Sequence, residues 1–132
     1  MNYDRPINIH SKNELVDLEP SRYRIYAIGG FGVELRQFSI SFKHTETGVL
    51  IQCKRSFWPV QAFAFGKRAK RIFVFDILKE GSYEVVFENP SSLRIKHSNL
   101  PISSIFSKPM ANEEIEILIS KKIGVYPILK RR

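Results

Sequence analysis

The chain has 132 residues, of which 43% are hydrophobic and 12% aromatic, and its formal net charge is +8. Its length is typical of one domain, and its apolar content is too high for an intrinsically disordered protein. The single cysteine, Cys53, excludes an internal disulfide, and no apolar run reaches the length of about 18 residues that a membrane-spanning helix needs.

Alternation of apolar and polar residues, which is typical of half-buried strands, recurs along the chain. The pattern predicts strands at residues 22–28, 35–42, 49–53, 60–65, 71–77, 82–87, 93–96 and 115–119. For the last of these, a strand is favoured over a helical turn because isoleucines alternate with acids. Regularly spaced short strands separated by turns predict an antiparallel β-sandwich, of the jelly-roll or immunoglobulin type, with about eight or nine strands.

Two segments of similar sequence each join a strand that ends near an aspartate to a strand that begins near a tyrosine. The first runs from Val16 to Ile25 and contains Tyr23; the second runs from Phe75 to Val85 and contains Tyr83. A tyrosine in this position packs its ring in the core, and its hydroxyl reaches a backbone group. The flanking residues do not repeat, so we interpret the likeness as convergence, and we expect two similarly built corners of a sandwich.

The residue types that support catalysis or metal binding do not form a recognisable motif here. Cys53, His97 and Met110 are separated by 44 and 13 positions, whereas a type 1 copper site takes such ligands from one short segment. No serine lies in a Gly-x-Ser-x-Gly motif. The glycine-rich residues 29–32 lack the spacing of a dinucleotide-binding loop, so we interpret them as a hairpin connection. We therefore expect no enzyme, no metal site and no cofactor.

Three segments are candidates for a binding surface. A basic segment, residues 67–71, follows the aromatic strand; it would suit phosphate, nucleic acid or an anionic surface, or else be a solvated loop that discourages edge pairing. A bulky run, residues 57–59, would either plug one end of the sandwich or form an exposed contact patch. The third is the tail, residues 121–132, with five basic residues and no acid. The candidate binding residues are Phe57, Trp58, Lys67, Arg68, Lys70, Arg71, Lys130, Arg131 and Arg132.

These patterns together favour one sandwich domain over residues 1–120, followed by a basic, apolar tail over residues 121–132 that is either docked or flexible. We expect a non-catalytic binding or assembly module that contacts a protein partner or a second copy of itself. The alternative is an anion or nucleic-acid binder that uses residues 67–71 and the tail. The single cysteine and the absence of an apolar leader favour a cytoplasmic location.

Overall fold

The computed structural model describes residues 4–56, 60–96 and 109–121, and these ranges form twelve strands and two short 3-10 helices. The helices are Pro90–Ser92 and Asn112–Glu114. The strands are β1 (Ile7–Asn8), β2 (Glu14–Leu18), β3 (Ser21–Ile28), β4 (Gly32–Glu34), β5 (Ser39–His44), β6 (Leu50–Gln52), β7 (Lys54–Arg55), β8 (Gln61–Ala64), β9 (Lys67–Ile77), β10 (Gly81–Glu88), β11 (Arg94–Lys96) and β12 (Glu116–Ser120).

The predicted antiparallel all-β sandwich is confirmed, but the predicted number of strands was too low. Sheet A has the order β1-β12-β3-β9-β7, and β8 also pairs with β9. Sheet B has the order β2-β10-β5-β6, and β4 pairs with β11 in a small third sheet. Strands β1, β4 and β7 have two or three residues each, which is too short for alternation to be visible in the sequence.

Aromatic rings form the centre of the core. The ring of Phe42 stacks on that of Phe75 at a centroid distance of 4.2 Å, and Tyr23 stacks on the same ring at 5.2 Å. Phe38 packs between Phe73 and Phe87, with centroids 6.0 and 6.3 Å away. Each fully buried side chain of this size contributes roughly 1.5–3 kcal/mol by leaving water, so the core needs no disulfide.

The two tyrosine-led segments form two corners at the same end of the sandwich. The first corner connects β2 in sheet B to β3 in sheet A, and the second connects β9 in sheet A to β10 in sheet B. Because β2 pairs with β10 and β3 pairs with β9, the two corners lie side by side. Tyr23 donates its hydroxyl to the Glu19 carbonyl at 3.0 Å, and Tyr83 donates to the Lys79 carbonyl at 2.5 Å. Each hydroxyl thus closes its own corner four residues upstream.

The glycine-rich segment is not the predicted hairpin connection. It leads from β3 in sheet A to β4, which pairs with β11 rather than with β3. Gly29 donates its N–H to the Arg68 carbonyl at 2.7 Å, and a Cβ at this glycine would lie 2.6 Å from the Met110 sulfur. The φ angle of Gly29 is 133°, which residues with a Cβ rarely adopt, so this position favours glycine as the segment leaves sheet A.

The basic segment also differs from its prediction, because residues 67–71 are the first half of the eleven-residue strand β9 rather than a loop. Pairing on both sides stabilises this part of the strand: β8 pairs with it along one edge and β3 along the other. The strand could not be recognised from the sequence, because four of these five residues are charged. In the part of the chain that the structure describes, no helix is long and apolar enough to cross a membrane.

Candidate binding face at the β8–β9 hairpin

A two-residue turn joins β8 to β9. Ala64 pairs with Lys67, so the loop consists of Phe65 and Gly66, whose φ angles are 54° and 75°. Two positive φ angles are the mark of a type I′ turn, whose first position favours Asn, Asp or Gly. A phenylalanine held there costs about 1–2 kcal/mol because its Cβ crowds the backbone. The Phe65 side chain is also 58% exposed, so burial does not offset that cost.

Next to this turn, two aromatic rings and a guanidinium pack together. Phe63 is directly opposite Arg68 in the β8–β9 ladder, so both side chains point to one face of sheet A. The Phe63 ring meets that of Phe31 edge-on, with centroids 6.1 Å apart, and the Arg68 guanidinium carbon lies 4.7 Å from the Phe31 centroid. Phe63 is still 40% exposed. Lys70 lies on the same face, opposite Gln61.

The four basic residues of β9 do not form one patch. Side chains alternate along a strand, so Arg68 and Lys70 share one face of sheet A, and Lys67 and Arg71 lie on the other. Arg71 is half-buried and donates its Nε–H to the Ser56 hydroxyl at 2.8 Å. From the sequence, these four basic residues were predicted to form one binding segment. The alternation of side chains along β9 places two of them on each face of the sheet.

The outer face that carries Arg71 is apolar and buried. Its cluster comprises Tyr26, Ile28, Ala62, Ala64, Ala69 and Leu118, all at most 3% exposed. Burial raises the pKa of the Tyr26 hydroxyl, and the nearby charges of Arg71 and Arg24 offset this only in part. Arg71 therefore belongs to the packing around this cluster, and the exposed Phe63 lies on the opposite face with Arg68 and Lys70.

We call Phe31, Phe63, Phe65, Arg68 and Lys70 the hairpin face. Of these, Arg68 and Lys70 were predicted as binding residues from the sequence, whereas Phe63 and Phe65 were noted only as aromatic neighbours and Phe31 was not considered. The available signal for Phe65 was its place before glycine, between two alternating strands, which marks a two-residue turn. Phe57 and Trp58 lie outside the described residues, as do His97 and the tail segment 122–132 with Lys130, Arg131 and Arg132.

Two titratable groups outside the hairpin face, His44 and Glu19, have structural partners. His44 is buried, and its Nδ1 accepts the backbone N–H groups of Glu46 and Thr47, both at 3.2 Å. An open cleft of about 270 Å³ lies between the two corners, and Glu19 on its wall pairs with Lys121. Among the described residues, no group of three or more His, Cys, Asp or Glu side chains is arranged to hold a metal ion.

Cys53 is expected to be unreactive in the folded protein. It lies between β6 and β7, not within a strand as predicted, and is only 8% exposed. Burial raises the pKa of its thiol, so the reactive thiolate is scarce at neutral pH. Iodoacetamide at neutral pH should leave the native chain unmodified by mass spectrometry and should alkylate it fully in guanidinium chloride. Rapid alkylation of the native chain would contradict this prediction.

Comparisons with protein-family models, with curated proteins and with solved structures found no match to this chain. The candidate site therefore rests on the geometry of the described residues. That geometry combines the exposed rings of Phe63 and Phe65, two cations on the face of Phe63, and a turn residue in an unfavourable conformation.

Proposed function

We propose that this chain is a non-catalytic binding module that contacts a protein partner through the hairpin face. The observation that supports this most strongly is Phe65. Asparagine or glycine would form the same turn at lower free energy, and an exposed phenylalanine adds nothing to the core. A residue that costs stability at an exposed position is typical of functional sites.

The composition of the hairpin face favours a protein partner. Aromatic residues and arginine are the types enriched at the centres of protein interfaces, where desolvated rings and a guanidinium supply most of the binding energy. Arg68 is already held against the Phe31 ring, so less rotamer freedom is lost when a partner covers it.

A nucleic-acid site is less well supported. Binding to a single strand uses a continuous basic groove with aromatic platforms along it. Here Lys67 and Arg71 lie on the face opposite Phe63, and Arg71 donates a hydrogen bond to Ser56. Only Arg68 and Lys70 accompany the phenylalanines, which is a small charge for holding a phosphate backbone.

The test compares the full chain with two variants as immobilised bait. Phe65→Asn removes the exposed ring, and Leu78→Asn is the matched control, since Leu78 is 87% exposed but lies in the β9–β10 corner. We expect a partner protein whose Kd for Phe65→Asn is raised by about 30-fold, the effect of an interface hot spot, and whose Kd for Leu78→Asn is unchanged. Phe65→Asn should also be more stable than the parent by about 1 kcal/mol in denaturant titrations.

Two outcomes would overturn the proposal. One is that both variants retain every interaction of the parent chain. The other is that the ligand dependent on Phe65 is RNA or DNA, with an affinity that falls steeply between low and physiological salt. The stability measurement separates loss of contact from loss of fold, since the asparagine variant is expected to fold more stably.

A further inference from the structure

Among the described residues no strand pairs with the outer edge of β8, and the backbone groups along that edge follow a defined pattern. Arg71 donates its N–H to the Val60 carbonyl at 2.9 Å, which makes this a hydrogen-bonded position of the ladder. Such positions alternate along an antiparallel pair, so Ala62 and Ala64 also bond to β9. Gln61 and Phe63 fall at the intervening positions, where N–H and C=O point away from β9. Within the described residues β8 pairs with β9 alone, so these groups face outward.

The side chains beside this edge determine which charge a strand that pairs with it should carry. Gln61 lies opposite Lys70 and Phe63 lies opposite Arg68, so both cations share a face with the two residues whose backbone is open. Lys67 follows directly after the turn. The cations beside this edge make it complementary to carboxylates.

We propose that the outer edge of β8 binds an extended segment of the partner as an added strand, with carboxylates at alternate positions facing Arg68 and Lys70. The backbone of Gln61 and Phe63 would supply two donors and two acceptors to that segment, as in other cases of strand addition. The apolar side chains of the segment, at the intervening positions, would lie on the other face of sheet A beside Ala62 and Ala64, and Phe65 would contact the partner beyond the strand. This inference rests on the proposed function and specifies the chemistry of the partner.

The probe is a short fluorescent peptide of alternating valine and glutamate, titrated into the full chain by fluorescence anisotropy. Gln61→Pro removes the outward N–H without removing a bond to β9, because the Gln61 N–H does not take part in that ladder. Gln61→Thr is the matched control, since threonine keeps the N–H and suits a strand. We expect Gln61→Pro to weaken binding by about tenfold or more and Gln61→Thr to change it by less than about twofold.

Changes in the peptide test the same contact without altering the protein. Alternate backbone nitrogens of the peptide can be methylated in two ways, at all valines or at all glutamates. One of these two peptides should lose binding and the other should keep it, because only every second N–H of an added strand bonds to β8. A peptide of alternating valine and lysine should bind at least about tenfold more weakly than the glutamate peptide. This arm keeps the proposal testable if Gln61→Pro fails to fold, as judged by circular dichroism.

Several outcomes would overturn strand addition: no binding of the glutamate peptide, equal binding by the two Gln61 variants when both fold, or binding that neither pattern of methylation weakens. A dimer in light scattering that is lost on Gln61→Pro would show that a second copy is the occupant instead. If the natural partner binds more weakly to Phe65→Asn but equally well to Gln61→Pro, strand addition is refuted. The proposed binding function is then unaffected.

Discussion

Replacing Tyr23 with alanine is expected to lower the free energy of unfolding by about 3–5 kcal/mol, the range for removing a fully buried aromatic ring. The Tyr23 side chain is 0% exposed, and its ring stacks on Phe75 in the core. The loss would combine the transfer free energy that the buried ring no longer contributes with the cost of the cavity left behind. The cavity persists because β-sheets on both sides prevent the site from collapsing. Denaturant titration followed by far-UV circular dichroism measures it.

A phenylalanine at the same position isolates the contribution of the hydroxyl. Tyr23 Oη both donates to the Glu19 carbonyl and accepts the Glu19 N–H, each at 3.0 Å. Tyr23→Phe should therefore cost about 1–3 kcal/mol, because two backbone groups lose their partner. Tyr83 makes one bond of this kind, to Lys79, so Tyr83→Phe should cost less, about 1 kcal/mol. A larger loss for Tyr83→Phe than for Tyr23→Phe would contradict this account of the corners.

The parts of the fold that the sequence predicted are those that depend on short stretches of chain. The alternation over residues 22–28 is the alternation of β3, whose Tyr23, Ile25 and Ala27 face the main core. The two corners were predictable for the same reason, because the strand ends, the turn and the tyrosine lie within about ten neighbouring residues. The hydroxyl contacts four residues upstream lie wholly within these stretches.

The parts that were not predicted depend on partners distant in sequence. Residues 67–71 form a strand because β3 and β8 pair with them, and nothing in the charged segment itself reveals that pairing. The hairpin face could not be assembled from the sequence, since Phe31 reaches Arg68 and Phe63 only through the packing of the β3–β4 connection. The same limit explains why the basic residues of β9 were grouped as one patch although they belong to two faces.

Gly81 gives the other large expected effect, because its missing side chain makes room for a buried histidine. A Cβ at this position would lie 2.4 Å from His44 Nε2, far inside van der Waals contact. His44 cannot swing away, since its Nδ1 accepts two backbone N–H groups and its ring packs edge-on against Tyr83 at 4.9 Å. Gly81→Ala is therefore expected to lower the free energy of unfolding by about 1–3 kcal/mol, the usual cost of overpacking.

A double-mutant cycle shows whether the histidine is the cause. His44→Ala is itself destabilising, because it leaves the N–H groups of Glu46 and Thr47 without their acceptor, yet it vacates the space that the new methyl group needs. The cost of Gly81→Ala should then fall in the His44→Ala background, with a coupling of about 0.5–3 kcal/mol. Gly66→Ala is the control: no atom lies within 4 Å of its Cβ position and its φ is 75°, so its cost is backbone strain. That cost should be the same with or without His44. If the losses for Gly81→Ala and His44→Ala are additive, the corner adjusts to accommodate the methyl group. The close approach of Gly81 to His44 then does not determine the stability of the protein.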